Sequence, residues 1–342
     1  MSLIDWEAFW KKDYWLPRRD TWDDVPTKID HLWAAFYFAI PILLLRIFIE
    51  VVVGLQLGKW FGFIPESLSE ARRQHIFGGF ASQTKRKKVL ECFWRFTSYS
   101  MLFALGYYIL KDKGWLYDTH KCFVGYPRHQ IEPDVWFYYM VECGFYIGLL
   151  FCSIFDTRRS DFWEMNLHHL ITFSLLSFSW TVNFVRVGTL ILISHDISDI
   201  FLELAKLFRY NRKYPFMANT AFVVFMFSWI ITRLIYFPFF VVYVGIRDGP
   251  ALIQPDYEVF NFKQVPYAPR ILLVLLLCLM GLHIFWTILI FKIVARTLRS
   301  GEAADVRSDS EETDGEVQTT EQKKKLLKTR KELDQKKKVH GD

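Results

Sequence analysis

The chain has 342 residues, of which 52% are hydrophobic and 18% aromatic, with 33 Phe, 16 Tyr and 13 Trp. A soluble domain of this length needs no such apolar load, so lipid is the expected solvent and an ordinary soluble globular protein is excluded. The net charge of +6 belongs to loops and to an almost wholly polar last stretch from Ser300, not to the core.

The N-terminus, MSLIDWEAFWKKDYW, has no compact apolar core followed by a small-residue cleavage site, so the first membrane helix is expected to direct insertion and remain. About 20 helical residues cross a bilayer. That ruler marks seven segments: His31–Leu57, Trp94–Leu110, Val135–Phe155, Leu167–Phe184, Val187–Ala205, Phe216–Val244 and Ile271–Val294. The fold class is therefore an all-α membrane protein of about seven transmembrane helices. The fourth and fifth segments are separated only by Asn183 to Arg186, which predicts a tight hairpin. Pro238 predicts a kink in the sixth. The cysteines (Cys92, Cys122, Cys143, Cys152, Cys278) are scattered in or beside apolar runs and read as buried small hydrophobes, not a disulfide framework.

Lys and Arg concentrate in the first, third and fifth loops and in the tail, which puts the N-terminus in the lumen and the tail in the cytosol. Residues 1–30 then form a lumenal segment, 31–57 the first helix, 58–93 a basic cytosolic loop, 94–295 a block of six helices, and 296–342 a charged, disordered cytosolic tail. In that tail Ser308 and Ser310 lie in SDSEE, a setting that suits an acidophilic kinase, or is simply a solvated tail.

Ionisable groups inside membrane segments are costly unless they face a cavity or a partner. The fourth and fifth segments concentrate them: His168, His169, Asn183, Arg186, His195, Asp196, Asp199, Glu203 and Lys206. Asp196, Asp199, Glu203 and Lys206 recur at steps of three and four and share a helix face. His168 and Thr172 share a face on the partner helix, while His169 points about 100° away. In the proposed orientation both sets lie near the cytosolic mouth and can meet. A His whose ring nitrogen is hydrogen-bonded to a carboxylate in a water-poor cavity is competent for acyl transfer. The alternatives are a polar cluster that only holds two helices together, or a single metal ion on His168, His169 and His195, with His283 isolated in the last segment. The expectation is no metal.

The run from His168-His169 through Thr172, Trp180, Asn183 and Arg186 to His195-Asp196, Asp199, Glu203 and Lys206 closely resembles the Lag1 motif of ceramide synthases. About a dozen positions match over nearly forty residues, and a wider resemblance to the TLC domain covers Phe93 to Arg296. The resemblance implies a TLC-type bundle of six helices after the first. It implies an endoplasmic reticulum N-acyltransferase that joins an acyl group from acyl-CoA to a long-chain sphingoid base, with no cofactor beyond that co-substrate. His168 and His169 match the family's essential His pair, and Asp196 and Asp199 its acidic pair. The loop Arg247 to Arg270 matches one thought to influence acyl length. Only some 36 residues occupy the place of a homeobox-like domain, too few for three packed helices, so no nucleic acid is expected. The basic run there is expected to attract CoA phosphates or anionic lipid. A homo- or heterodimer is compatible. The alternative function is a non-catalytic TLC-domain lipid sensor or translocon-associated protein.

Overall fold

A backbone in lipid must satisfy its polar groups internally, and a helix does so within one segment. The computed structural model describes residues 10–64, 66–77, 84–210, 214–247 and 249–300, and among them there are helices and no strand. We number the principal helices as follows: α1, Ile29–Trp60; α2, Leu68–Phe77; α3, Lys85–Leu110; α4, Pro133–Cys152; α5, Phe162–Thr181; α6, Val185–Tyr210. Helix α7 begins as Pro215–Trp229, widens to a π-helix over Ile230–Val242 and ends at Tyr243–Arg247. Helix α8 is Ala268–Ser300.

Each of the seven expected segments falls on one of these long helices. Among the described residues, four stretches are long and apolar enough to cross a membrane: Ile29–Trp60, Pro133–Cys152, Pro215–Ala251 and Ala268–Arg296. The other three long helices, α3, α5 and α6, have the length but carry the ionisable residues. Helix α6 packs mainly on α3 and α7, α5 on α8 and α4, and α1 on α4. Glycines permit close crossings onto α4. A Cβ on Gly144 of α4 would come within 2.9 Å of the Ala35 carbonyl of α1, and one on Gly188 of α6 within 2.7 Å of the Tyr139 hydroxyl of α4.

The structure departs from the sequence reading in three places. Helix α3 starts at Lys85, not Trp94, because Thr84 caps it: its Oγ1 accepts from the Lys87 amide at 3.3 Å. The basic run is thus a first helical turn. Lys87 and Lys88 are buried, and Lys87 Nζ lies 3.4 Å from Glu50 and 3.9 Å from Glu91. Lys87 thus answers buried carboxylates and Arg86 lies 3.4 Å from Glu66, so neither belongs to a solvated patch for phosphates, while Lys85 is exposed. The hairpin turn is as tight as expected, with Asn183 at φ 58° between α5 and α6. Its legs nevertheless splay, since each finds its main partners elsewhere. Around Pro238 the helix adopts the wider π winding, which accommodates the missing amide donor by re-pairing the ladder.

The loop between α7 and α8 is a built element. The buried Arg270 side chain donates to the carbonyls of Glu258 (3.1 Å), Val259 (2.8 Å) and Gln264 (2.5 Å) and stacks over Tyr257 at 4.8 Å. Arg18 reaches across to Asp256 at 3.0 Å. Ser308, Ser310 and most of the charged tail lie outside the described residues.

The buried Asn183 amide donates to the carbonyls of Pro127 at 2.6 Å and His129 at 3.0 Å, tying the turn to the α3–α4 connection. Asn183→Ala should lose both bonds and strain the left-handed backbone, costing about 2–4 kcal/mol. Asn183→Gly should lose the bonds only and cost less. Thermal unfolding of the detergent-solubilised variants checks this, and equal losses would remove backbone strain as a cause.

Candidate active site

Splaying of the α5–α6 hairpin leaves a cavity of about 140 Å³ walled by α3, α5, α6, α7 and α8, with Leu149 of α4. His168 and His169 enter it from α5, and Asp199, Glu203 and Lys206 from α6. The two polar sets that helical spacing placed on facing surfaces therefore meet across one space. Arg159, Lys206 and Arg209 supply basic groups at one end, and Phe222, Phe225 and Leu289 supply apolar walls.

The two imidazoles are held by aromatic contacts. Their ring centroids are 5.6 Å apart. Trp286 stands edge-on to His168 at 5.3 Å, and its indole is fixed by donating to Asp161 at 3.1 Å. Tyr146 meets the His169 ring at 6.2 Å. Neither Nδ1 has a hydrogen-bond partner among the described residues.

The expected carboxylate–imidazole hydrogen bond is not formed. Asp199 instead accepts from Arg233 of α7 at 3.2 Å, and the same guanidinium donates to the His195 carbonyl at 3.1 Å. Asp196 lies some 60° round the helix from Asp199 and turns toward Glu142 of α4, away from both cavities of the bundle. Glu203 is paired with Lys206 at 2.6 Å.

The remaining motif residues are spread along the bundle. His195 and Thr172 line a second, mostly apolar cavity of about 80 Å³. Trp180, Asn183 and Arg186 sit at the hairpin-turn end. There Trp180 donates to the Lys28 carbonyl at 2.9 Å, and Arg186 donates to the carbonyls of Lys121 (3.2 Å) and Val124 (3.3 Å) while lying 4.7 Å over Trp115. These three hold the bundle together at the end away from the His pair.

His283 is not isolated: its Nε2 is 3.2 Å from Nε2 of His195. Arg233, Arg95 and His283 all line the larger cavity and were absent from the expected site. The signal that finds them is the same one that found the hairpin, a single ionisable residue in an otherwise apolar span. Arg95 is also the end of a buried ionic chain. It contacts Asp156 at 2.8 Å, Asp156 contacts Arg46 of α1 at 2.5 Å, and Arg46 contacts Glu50 at 2.7 Å. Glu50 further meets His75 of α2 at 2.9 Å. No group of three or more His, Cys, Asp and Glu able to hold a metal occurs among the described residues.

Comparison with known proteins gives a consistent result. Residues 88–292 match the TLC domain family. The chain is 48% identical to ceramide synthase hyl-1 of Caenorhabditis elegans over 311 residues, covering 88% of this chain and 84% of the relative. It is 38% identical to ceramide synthase hyl-2 of the same organism, covering 87% and 92%. It is 33% identical to human ceramide synthase 3, covering 90% and 88%.

Because Arg233 is 3% exposed and holds Asp199 at the cavity wall, removing it leaves the Asp199 carboxylate without its cation. Arg233→Gln should cost about 3 kcal/mol of stability. The Arg233→Gln, Asp199→Asn double variant should lose clearly less than the sum of the single losses. Strict additivity in thermal unfolding would show that the pair is not coupled.

Proposed function

We propose that this chain, which belongs to the ceramide synthase family, transfers its acyl group in the cavity that holds His168 and His169. Membership makes it a multi-pass membrane enzyme, a sphingoid-base N-acyltransferase with acyl-CoA as co-substrate. The reaction breaks the thioester C–S bond and forms an amide C–N bond. Starting from the ammonium form of the base, one proton must leave before the nitrogen attacks, and a second passes from nitrogen to the thiolate of the departing CoA.

The observation that carries the reading is the convergence of His168, His169 and Asp199 on one cavity with a basic end and apolar walls. One imidazole takes the acyl group or the amine proton, and its neighbour supports it. Asp199, anchored by Arg233, is placed to attract the cationic amine. Arg159, Lys206 and Arg209 at the basic end suit the phosphates of CoA. That end faces the cytosol in the orientation derived from Lys and Arg distribution, with the membrane that of the endoplasmic reticulum and the C-terminal tail cytosolic. The acyl chain would extend away from the basic end. The second cavity lies in that direction and is lined in part by Ile253 and Pro269, which flank or belong to the α7–α8 connection. This supports a role for the loop Arg247 to Arg270 in acyl length.

Two experiments test these assignments. His168→Ala and His169→Ala should each cut N-acylation of sphinganine in microsomes by at least about 10²-fold, with expression and insertion retained. Near-normal turnover in both variants would remove the pair from the chemistry. Exchanging the loop for that of a relative of different preference should shift product chain length in an active chimaera, and an unchanged profile would leave length selection to the cavity walls.

A further inference from the structure

Two cavities of different character share one wall. The larger is lined by His283 and the smaller by His195, and the two rings touch across the boundary with Nε2 atoms 3.2 Å apart. His195 is 3% and His283 1% exposed. The fully buried Phe237 of the π-helical stretch presses on both rings, with centroids at 5.5 Å from His195 and 4.9 Å from His283. Three helices thus contribute one side chain each to a closed partition.

The protons in this partition follow from its partners. His195 Nδ1 lies 2.7 Å from the Ile191 carbonyl, which only accepts, so Nδ1 carries the hydrogen. In the neutral ring Nε2 is then an acceptor, and His283 Nε2 must donate to it. His283 Nδ1 is left as a buried lone pair with no partner among the described residues. The two rings are therefore held unequally. His195 is anchored at both nitrogens, whereas the His283 ring is held by one neutral hydrogen bond and ring contacts.

We propose that the His195–His283 contact is a latch between two chambers of a single acyl-binding channel, and that His283 is its moving side. The inference rests on the acyl-transfer reading of the larger cavity. Beyond the latch the walls are apolar: Leu175, Leu176, Leu192, Leu272 and Leu276 surround the space, and no charged side chain lines it among the described residues. Its occupant is the distal part of a long saturated acyl chain. Each methylene that leaves water for such a space gains roughly fourfold in binding. Breaking one neutral hydrogen bond costs roughly three- to tenfold. The first one or two methylenes past the latch therefore offset its opening, while a chain that stops short leaves it closed. His283 thereby sets the length at which the second chamber begins to contribute.

The test gives the full-length enzyme, in detergent micelles, sphinganine with an equimolar mixture of saturated acyl-CoAs from palmitoyl to hexacosanoyl. N-acyl products are quantified by mass spectrometry. His283→Ala should raise the ratio of longest to shortest product by roughly three- to tenfold. His283→Gln keeps a donor for His195 in a thinner side chain and should raise the ratio by a smaller factor. It decides the matter if the alanine variant does not fold. Leu276→Trp, which fills the second chamber, should lower the ratio at least tenfold. An active His283 variant with an unchanged ratio, or with an equal fall at every length, overturns the latch. If Leu276→Trp lowers the ratio in that case, the channel and the acyl-transfer reading stand without it. No effect of Leu276→Trp overturns the channel itself, and the latch with it.

Discussion

The buried charges around the first helix are answered by charges from other helices and loops, and the arrangement of the helices there follows from that demand. Arg46 of α1 lies between Glu50 and Asp156, Lys87 of α3 between Glu50 and Glu91, and Asp156 receives Arg95 as well. Thr157 donates both its amide (2.8 Å) and its hydroxyl (2.6 Å) to Glu91. Removing one member of such a set strands its partners in a medium with no water to replace them. The chain of contacts ends on Arg95, which also lines the cavity. The first helix and the wall of the site are thus one electrostatic unit.

That demand also sorts the helices. Helix α1 presents residues such as Tyr37 and Leu44 outward, and it belongs with α4, α7 and α8 to the set that composition alone qualifies to span a membrane. The three long helices that do not qualify, α3, α5 and α6, each contribute polar or charged side chains to the cavity. Helix α4 is apolar by composition, yet it is the most enclosed of the spanning set and brings the buried Glu142 toward Asp196. The long helices of lower apolarity here each line the cavity with polar or charged side chains, where such groups find partners.

The positions of α1, α4, α7 and α8 were legible in the sequence because apolar length alone encodes them, and the turn at Asn183 because so few residues join two apolar runs. The meeting of the His pair with Asp199, Glu203 and Lys206 was legible because helical periodicity and depth both act within one hairpin. What escaped was the neighbourhood. Periodicity says which residues share a face, not which helix that face meets. Asp199 was expected to serve an imidazole, but Arg233 of α7 takes its carboxylate. His283 was isolated along the chain but adjacent to His195 in space. Arg46, Arg95, Glu142 and Arg233 each break an apolar run as plainly as the hairpin residues do. They were passed over because they come singly, and a single ionisable residue in a membrane helix implies a partner elsewhere in the chain.

The salt bridge between Arg46 and Asp156 joins residues 110 positions apart. At a synthesis rate of 5–20 residues per second, the acid is made roughly 5–20 seconds after the base. The leading helix therefore reaches the bilayer carrying a cation whose distant counter-ion has yet to leave the ribosome. Glu50, one turn further on, already sits beside Arg46 and supplies a provisional counter-charge throughout that interval. The same glutamate later gathers Lys87 and His75, so it acts first as an escort during biogenesis and afterwards as the junction on which the finished helices converge.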